Sequence, residues 1–382
     1  MARDKRWRRQ GHARGRYAPR LWPVWLAAPI WVAAAIALAV VIYLQLQAVA
    51  VPRPGPNGGP APRDPLDVIK TTITVAGFVG AVLVGVYGYR KQRLVEGDAR
   101  RADAEQLAQR YTTAADQLGH EKAAVRLAGV YAMARLADDW DEQRQVCLDV
   151  LCAYLRMPYE PDTASEKHRE GEREVRYTII RIIRDHLQDP SAPTTWCGLD
   201  LDFTNATFDG GRFDGAKFTG GRVFFDSAEF TGGRVSFYDV EFSGGRVFFG
   251  YTKFAGGDVT FYDAEFTGGR VFFDSAEFAG GEVSFYGAEF AGGEVSFDDA
   301  EFTGGRVSFY DVEFTDGRVS FRDAKFTSGE VSFYDAKFTD GEVSFDDAEY
   351  TPGCSITWGP FEPPTAWTEI QERERRQNEP PP

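Results

Sequence analysis

The chain of 382 residues holds few of the side chains that do chemistry. Histidine occurs only as His12, His120, His168 and His186, none of them within the repetitive region after residue 199. No GxxxxGK[ST], HExxH or GxSxG segment is present, so P-loop, zincin and nucleophile-elbow chemistries all lack their signatures. The cysteines Cys147, Cys152, Cys197 and Cys354 fit neither a zinc-ligand spacing nor a CxxC pair, and reduced, partly buried thiols are expected. Basic residues are outnumbered, 43 against 57, and the net charge of −14 disfavours nucleic acid as a direct partner. The acid pairs Asp298–Asp299 and Asp346–Asp347 read as solvated turn residues rather than calcium ligands, because neighbouring repeats lack matching acids. Neither a cofactor nor a metal is expected, and an enzymatic role is not.

Long apolar stretches, by contrast, are present. Residues 21–51 contain no charged side chain, and a helix rising about 1.5 Å per residue would cross a bilayer over that length. A basic N-terminus (1–20) precedes it, a Pro/Gly-rich loop (52–67) follows, and residues 68–89 form a second apolar run ahead of Arg90, Lys91 and Arg93. Read by the positive-inside rule, this is a two-helix transmembrane hairpin in the inner (plasma) membrane, with both termini cytoplasmic and lipid as a partner. Gly77, Ala81 and Gly85 recur at every fourth position, a row that lets a second helix pack closely in the membrane and leaves self-association open.

Residues 90–188 turn to helical spacing. Leu107, Tyr111, Ala114 and Leu118 form one stripe; 122–137 is apolar on most sides; Asp141 is placed to cap a helix carrying Cys147, Leu151, Tyr154 and Leu155. Residues 161–174 read as a loop, followed by an amphipathic stripe of Val175, Ile179, Ile182 and Ile183 on which His186 is a core-edge histidine.

The remainder is repetition. "TGGRVSFYDVEF" stands at 231–242 and again, unchanged, at 303–314, with near-copies between and beyond. Phenylalanines alternate seven and five apart, from Phe218, Phe225 and Phe230 onward. Each 12-residue unit holds a Val-x-Phe and an Ala-x-Phe triplet, and residues two apart in a strand share a face. "TGG" and "YD" mark corners. Phe237, Phe266 and Phe302 are therefore expected to point inward, and Tyr262 outward. Tyr238, Tyr262, Tyr286, Tyr310 and Tyr334 recur every 24 residues, as do Phe224, Phe248 and Phe272. That favours a 24-residue coil of four faces over a 12-residue coil of two.

The phrases "TNATF", "DGAKF" and "AEF" resemble the pentapeptide-repeat family, from which "TGGRVSF" departs by two extra residues per pair. The resemblance implies a right-handed, four-sided parallel β-solenoid over 198–361. The decayed repeat at 351–361 is expected to cap its C-terminal end, and the charged, proline-rich segment 362–382 to be a disordered tail. Joined to the apolar segments, it is similar to an actinobacterial membrane-bound architecture. The function expected is a membrane-anchored, non-catalytic scaffold that presents a rigid acidic solenoid to a protein partner. The alternative the resemblance implies is a DNA-mimicking regulator of a basic DNA-processing protein such as gyrase. The surface expected to act comprises Glu241, Glu265, Glu289 and Glu313 with the five tyrosines. It belongs to a longer series of outward acids that also includes Glu229, Glu277 and Glu301. If those acids work, the partner is basic; if they only solvate the strands, the partner's chemistry is open.

Overall fold

A computed structural model describes residues 37, 40, 41, 44, 65–166 and 168–378. The basic N-terminus, nearly all of 21–51 and most of the 52–67 loop lie outside the described residues. The chain divides into two compact units, 1–101 and 102–382.

Helix α1 (Pro65–Leu118) is 54 residues long. It contains the whole of the expected second span, and this corrects the sequence reading. Among the described residues no helix is long and apolar enough to cross a membrane. The apolar run is interrupted by Lys70, Thr74 and several glycines, and it does not end as an element. It continues through Arg90 and Lys91 into a charged segment of the same helix. The two-pass hairpin, the inner-membrane location and the lipid partner are accordingly not supported. Gly77 and Ala81 are exposed and Gly85 half-buried. A Cβ on Gly77 would meet nothing within 4 Å.

In the second unit, the end of α1 packs with α2 (Ala123–Asp139), α3 (Arg144–Arg156) and α4 (Glu172–His186). Ala114, Leu118, Val130, Met133, Leu151 and Ile179 form their buried seam, as the helical spacing requires. Asp141 makes no capping bond; it opens a short 3₁₀ turn and pairs with Arg144 at 2.5 Å. Helix α4 begins at Glu172, inside the segment expected to be loop, on a left-handed Gly171 (φ 69°).

The repeats form a parallel β-solenoid with four faces. Face 1 holds seven strands, from Leu201–Asp202 to Glu342–Ser344. Face 2 holds seven, from Thr207–Phe208 to Glu349–Tyr350. Face 3 holds seven, from Gly211–Arg212 to Cys354–Thr357, and face 4 holds six, from Lys217–Thr219 to Lys337–Thr339. Val223 pairs with Val247, and Val247 with Val271, so each coil advances 24 residues; the two-faced 12-residue coil is excluded. Phe237 is 0%, Phe266 2% and Phe302 1% exposed, while Tyr262 is 37% exposed, as the alternation predicts. Four columns of inward phenylalanines run up the core, in line with Phe249, Phe254, Phe261 and Phe266. Phe249, Phe273 and Phe297 stack at 4.6 and 4.8 Å, and this column meets Phe261 and Phe285 edge-on.

The extra residues of the 12-mer are glycine corners. At the turn into face 3, Gly257 and Gly281 hold φ of 76° and 72°. A Cβ there would lie 2.4 Å from Gly233 O and 2.1 Å from Gly257 O respectively, so the coils close on one another only because these side chains are missing.

Both ends are covered, as a stack of nearest-neighbour coils requires. At the N-terminal end, buried Trp196 stacks on His186 at 4.1 Å, and Arg156 pairs with Asp202 at 2.5 Å. At the C-terminal end, Trp358 packs on Phe345 and Tyr350. The tail expected to be disordered instead forms α5 (Thr365–Asn378), whose Trp367 is 7% exposed against Tyr350 and Trp358. Trp367, with Ile370 packed beside it against the core, anchors this charged segment.

The cysteines are free. Burial pushes the Cys147 thiol up to about 11 and that of Cys152 up to about 12. Thiolate is the reactive form, so both are expected to resist alkylation near neutral pH until the chain is unfolded. Rapid labelling of Cys152 in the folded protein would contradict this packing.

Candidate interaction surface

The long series of outward glutamates does not form one row. Successive 12-mers lie on opposite faces, so the coil sorts them into two. Face 2 carries Glu229, Lys253, Glu277, Glu301, Lys325 and Glu349 in register. Lys325 bridges to Glu301 at 3.0 Å there. Face 4 carries Glu241, Glu265, Glu289 and Glu313 in unbroken succession. Lysines close the row only at its ends: Lys217 lies 3.5 Å from Glu241, and Lys337 lies 2.9 Å from Glu313 and 3.1 Å from Asp311.

Each strand fixes its glutamate by alternation. The following phenylalanine points inward, and Phe242, Phe266, Phe290 and Phe314 stack beneath the face at 5.0, 4.6 and 5.3 Å. The paired strands that carry these glutamates lie about 4.8 Å apart, an arrangement in which like charges directly opposite are destabilising. Face 4 therefore concentrates negative charge at some cost to the fold.

The tyrosines join this surface. Each stands at the corner leading into face 4, three residues before Glu241, Glu265, Glu289 or Glu313 and, for Tyr334, before Lys337. Asp239, Asp263, Asp311 and Asp335 follow them at φ between 53° and 57°, and Gly287 occupies the same place at 65°. Asp and Gly tolerate this left-handed backbone, which is why the corner reads "YD" or "YG". Tyr262, Tyr286, Tyr310 and Tyr334 form a ladder with centroids 5.5, 5.3 and 5.6 Å apart. Tyr238 continues the line and is 49% exposed. Desolvation, then the Asp335 carboxylate, hold the Tyr310 hydroxyl above the usual phenol range. All nine residues expected in the surface thus lie together: an aromatic edge beside an acidic face.

The other faces differ. Face 1 presents Arg222, Arg246, Arg270, Glu294, Arg318 and Glu342, with Arg270–Glu294 and Arg318–Glu342 both at 3.2 Å. Beside them Phe224, Phe248 and Phe272 stack outward, half-buried, at 5.1 and 5.3 Å. Face 3 pairs Arg306 with Glu330 at 3.0 Å. These ion pairs between coils were not anticipated, although charges of opposite sign 24 residues apart mark them in the sequence. Among the described residues no group of three or more His, Cys, Asp or Glu is placed to hold a metal.

Comparison with known protein families finds no match for this chain, and no curated protein matches it.

Proposed function

We propose that the chain is a non-catalytic interaction scaffold. Its solenoid is a variant of the pentapeptide-repeat coil lengthened by glycine corners, and it holds face 4 and the tyrosine edge rigid for a basic protein partner. The observation that carries this reading is the unbroken run Glu241–Glu265–Glu289–Glu313 beside a stacked tyrosine ladder. A face needed only for solubility is served equally well by mixed charge, as face 2 is. Tyrosine at the edge of a charged patch gives a partner rigid aromatic area with a polar tip.

A duplex-like decoy is the weaker reading. It calls for acid around the whole stack, whereas arginine and lysine interrupt three of the four faces.

The test is charge reversal. Glu265→Lys, Glu289→Lys and Glu313→Lys together are expected to abolish capture of basic proteins while leaving the solenoid folded. Reversal of Glu229 and Glu277 on face 2 is expected to leave capture unchanged. Binding through face 4 should also weaken as salt rises, because exposed charges are screened beyond about 8–10 Å. An unchanged set of captured proteins with the folded triple variant would refute this surface.

A further inference from the structure

A second site of opposite sign lies where α4 meets the first coils of face 3. Here the solenoid is cut away to admit the helix. Gly211 occupies the inward position held by Val235 in the next coil, and Ile180 of α4 fills the vacancy. A Cβ on Gly211 would come within 2.9 Å of Ile180. Tyr177 donates to the Asp209 carbonyl at 3.0 Å and holds the helix in place. An open cavity of about 550 Å³ remains between the helix and face 3.

Four arginines line this cavity: Arg181 and Arg184 from one side of α4, and Arg212 and Arg234 from two successive coils. Glu174 is its one lining carboxylate. The hydroxyl-bearing Thr178, 2% exposed, and Ser236, 9% exposed, contribute to its wall. The arginines do have partners: Arg184 with Asp185 at 2.5 Å, Arg212 with Asp214 at 2.6 Å, Arg234 with Asp258 at 3.5 Å, and Arg181 with the Tyr131 hydroxyl at 2.7 Å. None of those partners lines the cavity. Each guanidinium carries five N–H donors, so these contacts leave donors over on all four.

We propose that this cavity binds a compact polyphosphate anion. Planar guanidinium forks match phosphate oxygens in pairs, and four arginines drawn from helix and sheet around one cavity suit a ligand with several phosphates better than a single carboxylate. The volume falls within the range of small-ligand sites. A phosphate-rich anion could be inorganic or carry a nucleoside, and the chemistry recognised is the same for both.

The full chain is titrated at low salt with tripolyphosphate, ATP and adenosine, read by calorimetry. Tripolyphosphate and ATP are expected to bind and adenosine is not. Equal affinities assign recognition to the phosphates alone; tighter ATP binding adds a nucleoside contact. Arg181→Gln with Arg212→Gln, both exposed, is expected to weaken binding by roughly tenfold or more. Arg306→Gln, on face 3 beyond the cavity, is expected to leave it unchanged. Glu174→Gln removes the lining carboxylate and is expected to tighten it. Absence of binding up to about 1 mM tripolyphosphate, or equal loss in the Arg306 variant, overturns the proposal.

Discussion

Phe273→Ala is expected to destabilise the solenoid by about 3–5 kcal/mol, the range for truncating a fully buried aromatic. Phe273 is 0% exposed and touches six other rings. It stacks on Phe249 and Phe297, meets Phe261 and Phe285 edge-on, and tilts against Phe254 and Phe278. The coils above and below are held by backbone ladders and cannot close on the void, so the cavity should persist. Tyr262→Ala, at the exposed corner, is expected to cost less than about 1 kcal/mol, in the range of surface changes. Urea unfolding of the two variants makes the comparison, and equal losses would show that the inward and outward positions are misassigned.

Glu172→Gln is expected to cost a similar amount, about 3–5 kcal/mol, by leaving a buried cation without its counter-ion. Arg126 is 0% exposed and lies 3.2 Å from the Glu172 carboxylate. It also donates to the carbonyls of His120 and Glu170, both at 3.2 Å, and to that of Glu121. Tyr154 donates to the same carboxylate at 3.0 Å. The cluster joins α2, α3 and α4, so its loss should loosen the helical cover of the first coil and show as faster amide exchange there. Burial, with Glu172 adding to it, pushes the Tyr154 hydroxyl up from 10.0 to about 12. Its neutral form therefore contributes fully below pH 10, and that contribution is lost as pH rises through about 12. Tyr154→Phe should remove this alkaline component. An alkaline unfolding profile identical in the two proteins would place the destabilisation elsewhere.

Much of the fold was legible because the repeat states its own geometry. Alternation within Val-x-Phe and Ala-x-Phe separates inside from outside, since strand side chains alternate whatever the strand pairs with. The 24-residue recurrence of Tyr238, Tyr262, Tyr286, Tyr310 and Tyr334 carries the coil length, because stacked coils place like residues on like. Helical spacing likewise marked the seam of Leu118, Leu151 and Ile179. Apolar length was the less secure guide. Residues 68–89 are rich in valine and glycine, yet they belong to a helix that runs on into charged sequence, and composition over a window does not reveal where an element ends.

What only the tertiary structure decided is which charges are neighbours. Along the chain, Glu229, Glu241, Glu265 and Glu277 look like members of one series. Four faces per coil send alternate members to opposite sides, leaving Glu241, Glu265, Glu289 and Glu313 as a run and pairing Glu301 with Lys325. The arginine-lined cavity was equally invisible, since Arg181 and Arg234 are far apart in sequence and come to line one cavity where Gly211 makes room for Ile180. Local alternation is a property of the backbone and can be read from a few residues. Charge adjacency depends on how many faces the coil has and on how its end is capped, and those follow from packing across the whole stack.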